Sequence, residues 1–311
     1  MTFGTSFSFN SRDIDKIPGF ENLCIEKELS VFKVSSVNNP SDSSLMFLKN
    51  VTEEAVEKLK GVSGCILLIP DGTDINKDIG KSNLLLPSKN PRMDYAIILN
   101  HILVLSQTVL DYRALDNGSV IGQNVYIGNN TRIEPHVFID HNVVIGDQCI
   151  VKSGCKIRSN VKIGNHSILH ENSVIGGQGF GVESDAENGM IIRLPHVGGV
   201  VIGDYVEIGA TSNVASGTID PTEIDDYVKT DDSVHIAHNC KIEKGVLLGA
   251  GAIICGSVVI GEYSWIGPNS TVADNKIIGR NSFVVLGAVV LRNVKDNEVV
   301  AGNPARQINM D

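Results

Sequence analysis

An aliphatic side chain returns at every sixth position along much of the chain. A short second series begins at Ile202, and a third runs from Ile224 to Val290 with one polar member, Thr230. A period of six fits neither an α-helix nor an amphipathic strand. It predicts a parallel β-solenoid in which each short strand points one aliphatic side chain at a narrow axis. The first series runs through ten positions without a miss: Ile121, Ile127, Ile133, Ile139, Ile145, Val151, Ile157, Ile163, Leu169 and Ile175.

Small and turn-forming residues keep the same period. Gly, Asn or Asp often follows the aliphatic residue, as in "IGQN" and "IGDY", and these residues tolerate the positive φ of a tight turn. Small or β-branched side chains stand two positions before it, and Cys149, Cys155 and Cys240 occupy that place. Packing therefore accounts for these three cysteines. The six cysteines of the chain form no CxxC pair, so we expect free thiols.

A metal site is the other interpretation of one cysteine. His235, His238 and Cys240 lie close together in "HIAHNC". Structural zinc sites usually bring closely paired ligands, which this segment does not offer. We therefore predict that the protein has no metal site.

The repeat is interrupted twice. Residues 177–200, "GQGFGVESDAENGMIIRLPHVGGV", have no six-residue phase and are expected to form a loop that leaves the solenoid. Residues 215–223 insert a few residues and shift the phase. Excursions from a rigid repeat often carry function, and a tolerated surface insertion is the alternative.

The first part of the chain does not repeat. "EEAVEKLKGVSGCILLIPD" predicts an amphipathic helix followed by a buried strand, and "NPRMDYAIILNHILVLSQ" predicts a helix that starts after Pro91. These patterns indicate a small α/β domain at residues 1–112. The solenoid would occupy residues 113–300, with a short tail at 301–311.

Charge and hydropathy exclude some classes of function. The net charge is −10 and basic residues form no cluster, so nucleic-acid binding is not expected. The first residues, "MTFGTSFSFNSRDID", lack the basic and apolar pattern of a signal peptide. No apolar stretch reaches the ~18 residues that a membrane span requires. The sequence therefore predicts a cytoplasmic protein without a membrane span.

Nearly the whole chain resembles a family of hexapeptide acyltransferases. The period is similar to that of the left-handed β-helix acyltransferases, in which three hexapeptides make one triangular coil. The order "SLMFLKN", helix, "GCILLIP", "KNPRMDYA", then "GFG", "IGDYVEIGA" and "VKTDDSVHIAHN", resembles the UDP-3-O-acylglucosamine N-acyltransferases of lipid A synthesis. The resemblance implies a mainly β protein: a left-handed parallel β-helix preceded by a small α/β domain, assembled as a homotrimer.

The coil predicts which residues are neighbours. With eighteen residues per coil, Gly256 lies one coil from His238. A neutral imidazole can take the proton of an attacking amine, and a backbone N–H at a glycine can stabilise the oxyanion that follows. The resemblance gives the same roles to both residues. We also predict that Asp231 accepts the other N–H of His238, with a solvated turn aspartate as the alternative, and that His235 has a flanking, structural role.

The resemblance also implies a site for a nucleotide sugar. Phe47 and Asn50 of "FLKN" match positions that contact the uridine in the family. The family's stacking tyrosine is replaced by Glu53, and its second site histidine by Asn275, which argues against the lipid A substrate itself. The five residues assigned to substrate binding are Phe47, Asn50, Phe180, Asn239 and Asn275.

The acyl donor is the remaining question. "GNPAR" resembles hexapeptide acetyltransferases that use coenzyme A, and after Val290 we find no helical extension like that with which the lipid A enzyme engages acyl carrier protein. Both the carrier protein and this chain are acidic, which disfavours their association. Lys276, Arg280 and Arg292 are expected to bind the phosphates of coenzyme A. Acyl-CoA is thus the expected donor, acyl carrier protein is the alternative, and no permanently bound cofactor is expected.

Three functions follow from these patterns. The first is an N-acyltransferase that moves an acyl group from a thioester to the amino group of a nucleotide-linked sugar, for a surface polysaccharide or lipopolysaccharide. The second is the lipid A N-acyltransferase itself. The third is a solenoid scaffold without activity, against which the spacing of His238 and Gly256 argues.

Overall fold

The computed structural model describes residues 7–21, 25, 27–73, 75, 77–106, 111–185 and 189–308. The chain divides into two compact units. The first consists of Met1–Val109 with Phe180–Pro195, and the second consists of Leu110–Gly179 with His196–Asp311. Within the described ranges, no helix is both long and apolar enough to cross a membrane.

The first unit is built on a four-stranded parallel sheet. Its strands, in spatial order, are Lys33–Val34, Ser44–Phe47, Ile66–Pro70 and Leu84–Ser88. Its helices are Glu53–Leu59, Lys77–Ser82 and Pro91–Leu105, and a 3₁₀ helix covers Ser11–Lys16. A separate antiparallel pair joins Phe9–Asn10 to Ser30–Val31.

The longest helix begins at Pro91, close to where the sequence predicts it. The Asn90 side chain accepts a hydrogen bond of 3.2 Å from the N–H of Met93, and a proline in the first turn loses no helical hydrogen bond. The buried side includes Tyr95 and Leu99, both without exposed surface. Burial of an apolar side chain such as that of Leu99 stabilises the fold by about 1.5–3 kcal/mol.

The second unit is a parallel β-solenoid with three faces. The first face contains Arg113–Ala114, Val120–Ile121, Phe138–Ile139, Lys156–Ile157, Val174–Gly177, Asn213–Ala215, His235–Ile236, Ile253–Ile254, Thr271–Val272 and Val289–Val290. The second face contains Tyr126–Ile127, Val144–Ile145, Val161–Ile163, Val200–Ile202, Thr222–Ile224, Lys241–Ile242, Val259–Ile260 and Ile277–Ile278. The third face contains Arg132–Ile133, Ile150–Val151, Ile168–Leu169, Glu207–Ile208, Lys229–Thr230, Leu247–Leu248, Trp265–Ile266, Phe283–Val284, Val299–Ala301 and Arg306–Gln307.

The repeated aliphatic residues form the core of the solenoid, as predicted. Nearly all are less than a tenth exposed, although Ile127 and Ile133 in the first coil are only half-buried. The polar exception, Thr230, is also buried, and its hydroxyl accepts a hydrogen bond of 2.9 Å from the N–H of Gly209. The cysteines two positions before the aliphatic residues are buried too: Cys149, Cys155 and Cys240.

Most of the corners between faces turn through a residue with positive φ. Asn is the commonest such residue, but Tyr205 and Tyr227 also adopt φ values of 59° and 62°. Their rings stack one coil apart at 5.0 Å with an angle of 2° between the planes. A bulky side chain at positive φ is unusual, and this ring stacking contributes packing that offsets the strain.

Both interruptions of the repeat leave from the corner that follows the first face. Residues 177–200 are not a plain loop, because Val182–Ser184 pairs antiparallel with Ile191–Arg193. This hairpin belongs to the first unit, where the carboxylate of Glu183 forms an ion pair with Arg92. The chain then returns to the second face at Val200–Ile202.

Candidate active site

His238 lies at the corner that follows the first-face strand His235–Ile236. That strand pairs with Ile253–Ile254, so the predicted register of one coil between His238 and Gly256 is confirmed. A Cβ atom on Gly256 would lie 2.7 Å from Cε1 and 2.9 Å from Nε2 of His238. The imidazole therefore rests on the bare backbone of Gly256, and any larger residue would displace it.

Asn239 is held in one orientation by Thr218 and Asp220, and its side chain in turn contacts the His238 ring. Its Oδ1 accepts from the N–H of Thr218 at 3.3 Å and from the Thr218 hydroxyl at 2.8 Å, while its Nδ2 donates to the carbonyl of Asp220 at 3.4 Å. A backbone N–H can only donate and a carbonyl can only accept, so the positions of oxygen and nitrogen in this amide are decided. The same Oδ1 lies 3.0 Å from Nδ1 of His238.

This contact selects the tautomer of the neutral histidine. Because Oδ1 of Asn239 accepts, Nδ1 of His238 carries the proton. The lone pair is then on Nε2, the nitrogen that lies over Gly256. The ring is thus arranged to accept a proton at Nε2.

The two interruptions of the repeat meet beside this histidine. Val197 donates its N–H to the carbonyl of Thr218 at 3.0 Å, and Gly198 donates to that of Gly217 at 2.9 Å. The ring of His196 lies 4.9 Å from that of His238. His196, which sequence reasoning did not select, is thus part of the wall of the site; its position in the return segment "LPHVGG" was the one available signal.

The N–H of Gly256, which the sequence predicts as the oxyanion donor, already has an acceptor. It donates to Oδ1 of Asp274, one coil further on, at 2.7 Å. The same contact recurs elsewhere in the solenoid, where a side chain of the next coil accepts the N–H of a corner residue. Asn129 donates to Asp147 in this way, and Ala210 donates to Asp232.

Within the chain, Asp231 lies away from His238. It follows the third-face strand Lys229–Thr230 and so lies at a different corner. Its carboxylate accepts the N–H of Asp232 at 2.8 Å. The acceptor at Nδ1 is Asn239 instead, which the sequence analysis assigns to substrate binding.

His235 and Cys240 diverge from His238. His235 is on the outer side of its strand. Partial desolvation lowers the pKa of its imidazole, and the nearby His238 lowers this pKa further. Cys240 points into the core, where burial raises the pKa of its thiol to about 12. Within the described ranges, no three His, Cys, Asp or Glu side chains come together as metal ligands.

The predicted substrate residues of the first unit differ in their surroundings. Phe47 ends its strand half-buried, and its ring lies 4.9 Å from that of Tyr95. Asn50 is exposed beyond that strand. Phe180 is 77% exposed, and the guanidinium of Arg193 lies 5.4 Å from its ring centre.

The predicted coenzyme A residues are divided between two corners. Asn275, Lys276 and Arg292 lie at the same corner as His238. Arg280 lies at the next corner, where it pairs with Asp296 at 3.3 Å. In a single chain, therefore, only Lys276 and Arg292 are positioned to act together.

Comparison with known proteins identifies the fold of the solenoid. Residues 142–177 match the family model described as bacterial transferase hexapeptide (six repeats). A UDP-N-acetylglucosamine acyltransferase from Campylobacter jejuni superposes with a TM-score of 0.57 at 22% identity, covering 64% of this chain and 75% of that one. A UDP-N-acetylglucosamine O-acyltransferase from Moraxella catarrhalis gives the same TM-score at 24% identity, covering 62% and 73%. The second unit of the chain folds as a left-handed β-helix.

Several curated relatives are named UDP-3-O-acylglucosamine N-acyltransferase. UDP-3-O-acylglucosamine N-acyltransferase 2 from Legionella pneumophila (strain Lens) is 35% identical over 145 residues, which is 47% of this chain and 42% of that protein. UDP-3-O-acylglucosamine N-acyltransferase from Coxiella burnetii (strain Dugway 5J108-111) is 45% identical over 94 residues, 30% and 27% of the two chains. The matched segments span less than half the length of these relatives.

Proposed function

We propose that this protein is an N-acyltransferase that acylates the amino group of a nucleotide-linked amino sugar. The observation that carries the proposal is the placement of Nε2 of His238, with its lone pair, directly over Gly256. A positioned base and a backbone N–H at one point are the groups that acyl transfer to an amine requires.

The reaction would proceed by direct transfer. Nε2 of His238 takes a proton as the amino nitrogen attacks the thioester carbonyl. The carbonyl oxygen becomes an oxyanion, which the N–H of Gly256 stabilises. The tetrahedral intermediate collapses with loss of the thiolate, and the proton held by His238 returns to the sulfur. Asn239 stabilises the imidazolium by keeping its acceptor at Nδ1.

The acceptor that is best supported is a UDP-linked 3-O-acylglucosamine. This is the substrate in the printed names of the similar proteins from Legionella and Coxiella. These names support the second function considered from the sequence, the lipid A N-acyltransferase, better than an N-acyltransferase that acts on a different amino sugar. They do not support acyl-CoA as the donor. That preference, the homotrimer and the cytoplasmic location stay predictions.

The scaffold interpretation is less well supported. A solenoid without activity would place no requirement on the tautomer of one corner histidine. Here the Thr218 and Asp220 partners of Asn239 determine it, and both come from an insertion that interrupts the repeat.

The test is a matrix of donors and acceptors. The purified protein is incubated with 3-hydroxyacyl-CoA or 3-hydroxyacyl carrier protein, and with UDP-3-O-acylglucosamine or a UDP-linked amino sugar without the 3-O-acyl group. Thiol release and the acylated product are measured. Product with the 3-O-acylated acceptor supports the lipid A reaction, and product only with another amino sugar supports the broader acyltransferase. Absence of product in all four mixtures, from protein that remains folded, contradicts the proposal.

A further inference from the structure

The contact between Asp274 and Gly256 creates a conflict within the proposed site. The N–H that should stabilise the oxyanion already donates to Oδ1 of Asp274 at 2.7 Å. A carboxylate is a stronger acceptor than a thioester carbonyl, because hydrogen bonds to an ionised partner are about twice as strong as neutral ones. The carbonyl of the acyl donor therefore cannot use this N–H until Asp274 has moved.

Asp274 is able to move. It is an exposed corner residue, and within the described ranges no ion pair holds its carboxylate. Arg292, at the same corner, is exposed as well and does not form an ion pair with it in this structure. The contact with Gly256 is the one hydrogen bond of this carboxylate that the described residues provide.

Asp274 and His238 both approach Gly256. A Cβ atom at this glycine would lie 2.9 Å from Nε2 of His238 and 3.3 Å from Oδ1 of Asp274. One group offers a lone pair and the other a negative charge. An ammonium group has N–H donors for both, and an amino sugar is partly in the ammonium form near neutral pH.

We propose that Asp274 gates the oxyanion site: it holds the N–H of Gly256 while the acceptor is absent, and the amino group of the acceptor draws it away. This inference rests on the proposed acyl transfer. It makes the oxyanion donor available only when a nucleophilic amine is present. Without the amine, water would attack the thioester, His238 would pass the proton of water to the leaving sulfur, and a free carboxylic acid and a thiol would form. The gate suppresses this hydrolysis of the acyl donor.

The matched variants are Asp274→Ala and Asp232→Ala. Asp232 is also exposed and accepts a corner N–H at 2.7 Å, that of Ala210, but it lies at a different corner from His238. Each variant removes a hydrogen bond of the same kind, from a corner N–H to a carboxylate of the next coil. Only Asp274→Ala opens the proposed gate. Thiol release without acceptor is measured beside transfer to the amino sugar.

We expect Asp274→Ala to raise the ratio of thioester hydrolysis to transfer by about tenfold or more, since one oxyanion donor is worth about 10²–10³-fold in rate. Asp232→Ala should leave this ratio unchanged. If the ratio in Asp274→Ala equals that of the wild type, or if transfer and hydrolysis fall together, Asp274 is a structural contact and the gate is wrong.

A complex of the wild-type protein with the nucleotide amino sugar separates this inference from the proposed function. In its crystal structure, we expect the amino nitrogen near Nε2 of His238 and the Asp274 carboxylate turned away from Gly256. A bound sugar with Asp274 still on Gly256 overturns the gate alone. If the sugar does not bind, and the wild-type protein transfers no acyl group, the function itself is wrong.

Discussion

Nδ1 of His238 lies 3.0 Å from Oδ1 of Asn239, and this contact leaves the lone pair of the histidine on the nitrogen that faces Gly256. The base is thereby oriented by its sequence neighbour. The neighbour is in turn held by Thr218 and Asp220, which belong to an insertion in the repeat. The proposed chemistry depends on this chain of contacts.

The two histidines of "HIAHN" should differ in their effect on activity. His238→Ala removes the proton acceptor, and positioned acid–base groups contribute about 10²–10⁴-fold, so kcat should fall at least about a hundredfold. His235→Ala should keep most activity, because this exposed side chain does not lie on Gly256. Steady-state kinetics and melting temperatures of both variants check this. An inactive His235→Ala beside an active His238→Ala contradicts the assignment.

Asn239 should act through His238. Asn239→Ala removes the acceptor at Nδ1 and should lower kcat about tenfold or more, since the imidazolium loses a partner. Asn239→Asp keeps an acceptor and adds a negative charge that favours the protonated ring. Its activity should be partly restored, with the acid limb of kcat/KM displaced to higher pH. An unmoved pH profile in Asn239→Asp would mean that this residue has only a structural role.

Gly256→Ala should separate activity from stability. The added Cβ would lie 2.7 Å from Cε1 of His238, so the ring must rotate off its position. We expect a loss of kcat of about a hundredfold with a small change in melting temperature. Gly61→Ala is the control, because a Cβ there meets only the Lys58 carbonyl at 3.8 Å. Full activity of Gly256→Ala argues against the placement of Nε2 at the reaction centre.

Phe47 tests the nucleotide site in the first unit. Phe47→Ala should raise the KM for the nucleotide sugar about tenfold or more and leave the KM for the thioester nearly unchanged, because base stacking on an aromatic ring is worth about 1–3 kcal/mol. The ring also packs against Tyr95, so the melting temperature is measured in parallel. If the variant and the wild type have equal KM values for the nucleotide sugar, the nucleotide base binds away from Phe47.

Cys240 should be chemically inert in the folded protein. Burial raises the pKa of its thiol to about 12, so almost none of it is thiolate at pH 8. Iodoacetamide should modify the half-exposed Cys255 first and reach Cys240 only after unfolding. Peptide mass spectrometry of samples taken over time gives both rates. Modification of Cys240 at the rate of Cys255 in the native protein contradicts the inward orientation.

The sequence by itself determined the solenoid, its register and the residues at its axis. A six-residue period is a local property: each aliphatic residue is buried because its own short strand turns at the next corner. Together with the eighteen-residue coil that the family resemblance implies, this period locates Gly256 as the neighbour of His238. The helix at Pro91 was likewise visible from its cap and its proline.

Only the tertiary structure decided how the site is completed. Side-chain direction at a corner depends on which hydrogen-bond partners reach it, and a six-residue period does not specify those partners. The repeat therefore could not show that Asn239, rather than Asp231, contacts His238, or that Asp274 occupies the N–H of Gly256. Nor could it show that the two interruptions meet. The hydrogen bond from the N–H of Val197 to the carbonyl of Thr218 joins two segments that have no repeat pattern.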